Sequence, residues 1–548
     1  MELECHAISP VPGTTALFRA YTETAASAHA TDQRRWYPTD PFSMHWASHA
    51  PTLDQPHLAR LTDELLRQPD RFDSSGAVLA NIERLKNGAA AVVTGQQVGL
   101  FGGPLLTLLK AATAIRKAQD ATRLSGREHV PVFWLASEDH DLAEVDQVSL
   151  LSKTAVEKLT LGLDGRQPLP VGSRVLGDRT DEGRNRLEAE LDRACELLQW
   201  VPICDLLREC YAPGATLAGA FGRLLTKVFA AYGLIVMDAA TPGFHALGAP
   251  ALRAAIEHAD ELEAALLART RELEAAGYHA QVLITPGHSL LFLLDAESGA
   301  RLPLRRVDGG GWKAGTQLYS TADLLAILDT APERLSPTAL LRPVFQDTIL
   351  PTAAYIGGPA EIAYFAQSAV VYEQILHRVT PVLPRLSATL VEPAIATTLA
   401  AHEVSFAQIL EAKTPDALAL RLGARAMPIE AKRKLAAAGN AMDTELTALT
   451  EYMTAMSADL GRAAGVSASK MRYQMARLRR MAANFELQKQ ASLNKHAAAS
   501  MLNLLPEGHL QERVLAGGGF LARHGDTLPA PLVEHAAQEC PGHRGIFL

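Results

Sequence analysis

The sequence predicts an α/β protein built on a parallel sheet and followed by a long helical hairpin. Three observations carry this reading. In the first 390 residues, short apolar runs that stop at glycine or polar residues alternate with helical stretches, the pattern of strands joined by crossover helices. Polar clusters stand at the ends of those runs, where open α/β sheets bind ligands. Beyond residue 390 the strand signals vanish and a seven-residue spacing of apolar positions takes over.

The first strand is Ala89–Thr94, stopping at Gly95. The loop QQVGLFGGP follows, then an amphipathic helix with Leu105, Leu108, Leu109, Ala112 and Ile115 on one stripe. Pro104 suits its first turn, where no N–H is needed. The second strand, Val130–Ala136, ends in Ser-Glu-Asp-His-Asp, and the third, Leu234–Met237, ends at Asp238. Between 154 and 180 the pattern breaks into short antiparallel strands around an Asp164-Gly165 turn, and helical segments run from about 185 to 231. A second departure covers 278–318. There Gln281–Ile284 and Ser289–Leu294 flank a Thr-Pro-Gly turn, and a triple-glycine turn follows at Gly309–Gly311.

In the last third, Leu435, Gly439, Met442, Leu446, Leu449, Met453, Met456 and Leu460 follow alternating four- and three-residue steps. After Gly465 a second helix, from about Ala468 to Leu502, carries the seam Met471, Met475, Leu478, Ala482 and Phe485. Two long helices joined at a glycine imply an antiparallel hairpin that pairs with a second copy, a private intramolecular hairpin being the alternative. The resulting plan is a core over 1–153, an insertion over 154–231 and a second core part over 232–389 with a β-rich insert at 278–318. A coiled-coil region over 390–502 follows, and 503–548 returns to the core.

Composition bounds the function. The 548 residues are 48% hydrophobic and 20% charged, ordinary for a globular chain. A net charge of −8 provides no basic field for a nucleic-acid backbone. No apolar run approaches the roughly 18–20 residues of a membrane helix, and the start MELECHAISPVPG lacks the basic and apolar parts of a signal peptide. Five scattered cysteines (Cys5, Cys195, Cys204, Cys210, Cys540) read as reduced thiols in the cytoplasm.

Three segments carry the chemistry. In TGQQVGLFGGP, Gly95, Gly99, Gly102 and Gly103 let the backbone approach a ligand, and the helix start beyond them favours an anion. Thr94, Gln96 and Gln97 add donors and acceptors, while Lys110, read as two turns into the helix, is not expected to reach the site. The bland alternative is a tight strand-to-helix turn. In Glu138-Asp139-His140-Asp141, three carboxylates and an imidazole crowd a strand end. They would hold an ammonium group or magnesium (at Asp139 and Asp141), or supply His140 as a base toward an attacking amine. The alternative is a helix cap with solvated neighbours. No zinc is expected, because the spacing is not that of a zinc site. The third segment, Arg342–Gln367, reads as an apolar strand-like stretch and then Gly357-Gly358-Pro359 opening a helix with Glu361 in its first turn. Arg342, Gln346 and Asp347 precede Pro351, and an arginine fork suits a carboxylate or phosphate. Asp238 is a lesser candidate. Two signals are set aside: Ser467-Ala-Ser-Lys470 resembles an adenylate-stabilising lysine loop but starts the second long helix, and Cys195, Cys204 and Cys210 lie on helices without a histidine partner.

TGQQVGLFGGPLLTLLKA, VPVFWLASEDHDLAEV and QDTILPTAAYIGGPAEIAYFAQ, in this order, resemble the bacillithiol biosynthesis cysteine-adding enzyme family, and LPEGHLQERV (505–514) is similar to that family's C-terminal signature. The likeness spans most of the chain. It implies a Rossmann-like core resembling class I aminoacyl-tRNA synthetases, with connective insertions and a coiled coil that forms a homodimer. It also implies a ligase that joins cysteine to the amine of glucosaminyl-malate. The synthetase signatures HIGH and KMSKS are absent here, which leaves the activation step open. Amide formation from a free carboxylate is uphill in water, so ATP and magnesium are expected. Two rivals stand beside this reading. One is a nucleotidyltransferase or amino-acid ligase of the same architecture acting on another amine. The other is a non-catalytic assembly protein, against which the polar strand ends argue.

Overall fold

The computed structural model describes residues 3–6, 13–23, 35–68, 72–163, 165, 168–177, 181–307 and 309–548. The chain divides into two compact units. One contains residues 5–388 and 512–544, the other residues 1–4, 389–511 and 545–548.

The first unit is organised by a five-stranded sheet. β1 (Ala90–Gln97), β2 (His129–Ala136), β3 (Ile235–Met237), β4 (Thr352–Gly357) and β5 (Val382–Pro384) lie in the order β5-β4-β1-β2-β3. Every pairing is parallel, and almost every strand residue is buried, as parallel sheets covered by crossover helices require. β1 runs three residues further than its apolar run suggests, so Gln96 and Gln97 belong to the strand, paired with Leu135 and Ala136. Helix α1 (Leu106–Ser125) starts after Pro104 and ends at Gly126, whose φ of 72° is a left-handed cap. Its Ala114, Ala118 and Ala121 pack on Ala90, Val92, Ala354 and Ile356. Small residues on the helix bring its axis close to the sheet.

Other sequence expectations are corrected. The strand-like stretch ahead of Gly357-Gly358-Pro359 is β4, beginning at Thr352, and it is preceded by a helix, α2 (Arg342–Ile349), with Pro343 in its first turn. The antiparallel pair after β2 is Gln147–Leu151 with Val156–Thr160, and its turn is closed by Ser152, whose Oγ accepts the Ala155 N–H at 3.1 Å. Asp164 of the expected turn lies outside the described residues, and Gly165 is in coil. Gln281–Ile284 forms no strand; Val282 instead binds the Gln367 side chain through both its N–H and its carbonyl. The insert is a five-stranded antiparallel sheet, with His288–Leu294 flanked by Arg301–Val307 and Leu335–Pro337. Two cysteines are not free thiols: Cys5 and Cys540 form a disulfide, a proximity that 535 residues of separation conceal. Cys210 is buried, and Cys195 and Cys204 are half-buried. Burial, with Cys204 beside it, pushes the Cys195 thiol up to about 12.

In the second unit, α4 (Ile429–Met456) and α5 (Ala458–Lys489) form the long helical pair, α3 being reserved for Pro359–Leu376 of the first unit. The break falls at Ser457, in extended conformation, and not at Gly465. The glycine needed there is Gly461, since a Cβ on it would come within 2.8 Å of the Thr454 backbone. Gly439 is buried on α4, and Gly461, Ala468 and Met475 are buried at seven-residue steps on α5. Of the seam read on the second helix, Met475 is buried, whereas Met471, Leu478 and Phe485 are exposed, as are Leu449, Tyr452 and Met456. Ser467–Lys470 lies in mid-helix. Among the described residues, no helix is long and apolar enough to cross a membrane.

Candidate active site

Chain order explains where a ligand would bind. The chain lays down β1, β2 and β3 in one direction across the sheet, then returns to add β4 and β5 on the other side of β1. The strand order therefore reverses between β1 and β4, and a crevice opens at the carboxyl ends of those strands. A cleft of about 720 Å³ occupies this place, lined by the ends of β1, β2 and β4, the start of α3, and residues of the β-rich insert.

At the reversal point an ion pair spans the crevice. Lys110 Nζ reaches Gly95 O at 2.6 Å and Gln96 Oε1 at 3.0 Å from α1, and Glu361 Oε2 at 2.5 Å on α3. Glu361 sits at the third position of α3 and folds back to accept the Gly358 N–H at 2.8 Å and the Tyr355 hydroxyl at 2.6 Å. Burial would raise its pKa, but Lys110 and these donors hold the carboxyl below its ordinary value. Burial pulls the Lys110 ammonium below its usual range, with Glu361 only partly offsetting it. The expectation that Lys110 falls short of the site is corrected. α1 begins at Leu106, so Lys110 is one turn in, and helical side chains lean toward the N-terminus. Gly95 has no room for a side chain, since a Cβ there would lie 2.9 Å from Trp134 O.

Arg342, at the start of α2, lines the same cleft. Its guanidinium donates to Tyr364 Oη at 2.9 Å and Gln346 Oε1 at 3.1 Å, and lies 5.1 Å from the centre of the Tyr355 ring. Two tyrosines and an amide hold it, with no carboxylate within ion-pair distance among the described residues. Such a guanidinium keeps donors for an anion.

The cluster after β2 divides by role. Glu138 Oε1 meets Nε2 of the fully buried His245 at 2.9 Å. Burial would raise the Glu138 pKa, but His245 and then Arg301 hold it low; burial would lower that of His245, but Glu138 raises it. Asp139 accepts Gln97 Nε2 at 2.6 Å and the His140 N–H at 2.7 Å. Burial works against its charge, yet these bonds keep its pKa low. His140 lines the cleft with its side chain 39% exposed. Asp141 precedes the short helix Leu142–Val145, is exposed, and lies outside the cleft.

Several candidates are structural. Thr94 ties β1 to β4 by donating to Ile356 O at 2.9 Å. Gly99, Gly102 and Gly103 do not line the cleft, whereas Gly95, Gln96 and Gln97 do. The Tyr211 hydroxyl donates to Gly99 O at 2.8 Å and accepts the Gly102 N–H at 3.0 Å, and Gly103 O accepts the Gly517 N–H at 3.1 Å. The tight-turn alternative thus describes Gly99, Gly102 and Gly103. Asp238 is buried and accepts Ser137 Oγ at 2.5 Å. Gln346 and Asp347 are buried behind Arg342, Asp347 accepting Tyr372 Oη at 2.7 Å and Thr380 Oγ1 at 2.5 Å. Gly357 ends β4 and lets α3 close on it, while Gly358 lines the cleft.

Residues not singled out from sequence complete the wall: Tyr355, Tyr364, Arg301, Arg385 and Arg513. Arg385 is clamped by Glu512 through bonds of 2.9 and 2.7 Å, and Glu512 also accepts Ser387 Oγ at 3.0 Å and the Ala388 N–H at 2.8 Å. The signal for this pair was the ER dipeptide of LPEGHLQERV; no local spacing connects it with Arg385. The donor set does not fit a protein-held magnesium. Asp139 is engaged, Asp141 stands apart, and the described residues contain no cluster of three or more His, Cys, Asp or Glu arranged for a metal.

Comparison with known proteins gives a consistent picture. Residues 1–386 match the family model described as Bacillithiol biosynthesis BshC, N-terminal Rossmann-like domain, and residues 388–548 match the C-terminal coiled-coil domain of the same family. A protein of Koribacter versatilis named "Putative cysteine ligase BshC" is 41% identical over 546 residues, covering 99% of each chain. Proteins of the same name from Solibacter usitatus and Salinibacter ruber are 38% and 32% identical, covering 83% and 85% of this chain and 84% and 85% of their own.

Proposed function

The chain belongs to the BshC family of bacillithiol biosynthesis, and from that premise we propose that it is a cytoplasmic ligase forming an amide between L-cysteine and the amine of glucosaminyl-malate. The observation that carries this reading is the cleft at the strand-order reversal, lined both by Arg342, which has no carboxylate within ion-pair distance among the described residues, and by the polar cluster Glu138–His140. A substrate with carboxylates and an amine suits both ends of such a cleft.

In the proposed reaction, ATP activates the cysteine carboxylate, because direct amide formation is unfavourable in water. Magnesium would arrive with the nucleotide phosphates rather than on protein carboxylates. Arg342 meets a carboxylate of the malyl group. The sugar amine attacks the activated carbonyl, the amide C–N bond forms as AMP or phosphate leaves, and the amine's proton passes to Asp139 or His140, which line the cleft outside the Glu138–His245 pair. Lys110 has all three donors engaged within the protein, so its part is to hold the β1 end against α3. The molecule acts as a homodimer through the coiled coil. This is supported by the exposed apolar positions Leu449, Met456, Met471, Leu478 and Phe485.

The test is a mass-spectrometric turnover assay with cysteine, glucosaminyl-malate, ATP and magnesium, with each omitted in turn. A cysteine-plus-sugar mass that requires the protein and ATP is expected. Its absence, in an assay validated with a known ligase, would overturn this assignment in favour of another amine acceptor.

A further inference from the structure

Arg301 enters the cleft from the β-rich insert, not from the main sheet. Its residue is 8% exposed, and its guanidinium is fixed on three sides. It lies 3.7 Å from the centre of the Phe292 ring, Nε donates to Ser336 Oγ at 3.0 Å, and Nη2 donates to Pro337 O at 2.9 Å. The nitrogen that remains, Nη1, lies 3.4 Å from His140 Nδ1. The Phe292 ring also packs 5.7 Å from the imidazole, so one aromatic side chain braces both groups.

A guanidinium only donates hydrogen bonds and stays protonated in proteins. In this pair Nδ1 must therefore be the acceptor, and the neutral ring carries its proton on Nε2. Asp139 does not compete for that edge. Its Oδ1 is 3.8 Å from Nδ1, beyond hydrogen-bond length, and already takes the His140 backbone N–H. With Nδ1 engaged, Nε2 is the nitrogen left to meet a ligand in the cleft.

We propose that Arg301 is a positioning residue that fixes the His140 tautomer, and that His140 acts on the substrate as a hydrogen-bond donor through Nε2 and not as the base. A fixed N–H aimed at an oxygen that gains negative charge as the amine attacks stabilises that charge without reorganisation. The proton lost by the amine then goes to the Asp139 carboxylate. The substrate in this account rests on the ligase reading above; the tautomer does not.

The experiment has two arms. Long-range proton–nitrogen correlation spectra of the full chain, labelled with ¹⁵N-histidine and held at pH 8.5, report the tautomer, with His140→Gln identifying the His140 signals. A single Nε2–H tautomer in the native protein, becoming a mixture in Arg301→Met, is expected. An Nδ1–H tautomer, or an unchanged pattern in Arg301→Met, overturns the proposal. The second arm compares turnover of His140→Gln, which keeps an N–H donor, with His140→Glu, which keeps a proton acceptor. At least tenfold higher kcat in the Gln variant is expected, and the reverse order overturns the donor role. If the native protein shows no turnover, the ligase assignment fails while the spectra still decide the tautomer.

Discussion

Replacing Lys110 by Met tests whether the ion pair at the strand-order reversal holds the cleft together. Met has a similar length and removes three donors, from Gly95 O, Gln96 Oε1 and Glu361 Oε2. Removing one member of a buried pair typically destabilises by about 3–5 kcal/mol. The buried Gly95 carbonyl adds about 1 kcal/mol for its lost donor, whereas the half-buried Gln96 side chain can turn to water. Against this, Glu361 keeps Tyr355 Oη and the Gly358 N–H, and burying Met is easier than burying an ammonium. A net loss of about 3 kcal/mol follows for Lys110→Met. Glu361→Gln should destabilise by about 2 kcal/mol, since the ammonium keeps two carbonyl acceptors. The double variant should then be more stable than the sum by about 1.5 kcal/mol or more. Urea unfolding of the four proteins, followed by far-ultraviolet circular dichroism through the transition of the core unit, measures the coupling. Additivity within about 0.5 kcal/mol would show that the two groups merely lie close together and would refute the clamp.

Three further outcomes are expected. The Glu138–His245 pair stabilises most at mildly acid pH. The raised His245 pKa gives stability that is complete below its ordinary value of 6.5 and lost as pH rises through the folded value; the lowered Glu138 pKa gives stability present above 4.5 and lost as pH falls through the folded value. Tm against pH should therefore be flatter for His245→Gln than for the native protein, and parallel curves would contradict the pairing. Gly95→Ala puts a methyl group 2.9 Å from Trp134 O, which should destabilise by about 1–3 kcal/mol and reduce turnover; native Tm and kcat would disprove the tight fit. Leu478→Glu with Phe485→Glu, both exposed on α5, should convert a dimer to a monomer in light scattering, and an unchanged mass would remove this face from the interface.

The core strands were legible because β1, β2 and β3 are short apolar runs ended by glycine or acidic residues, a signal local in the chain. The polar clusters at their ends were legible for the same reason. His245 and Arg301 were not, because they reach the end of β2 from a helix and an insert far along the chain, and only tertiary packing brings them there. Lys110 was visible as a cation following the glycine loop, but it was read as two turns into the helix and the backward lean of the side chain was not counted. The glycine loop shows the opposite failure. Its glycines met the requirements of a ligand loop, yet Tyr211 from the helical insertion uses the N–H and carbonyl groups that a ligand would need. In the coiled coil the seven-residue spacing was readable, but spacing alone does not say which of two adjacent apolar stripes on α5 faces α4.

The split of the core unit across the chain has a consequence for biosynthesis. Arg385 leaves the ribosome 127 residues ahead of Glu512, and residues 389–511 of the helical unit are made in between. Domains fold as they are synthesised, N-terminal parts first, so a guanidinium destined for burial must wait for its carboxylate while the sheet around it is already complete. A nascent chain halted within the coiled coil would hold every strand of the main sheet and still lack the group that neutralises this wall. Maturation of the cleft is thereby tied to synthesis of the segment that carries Glu512.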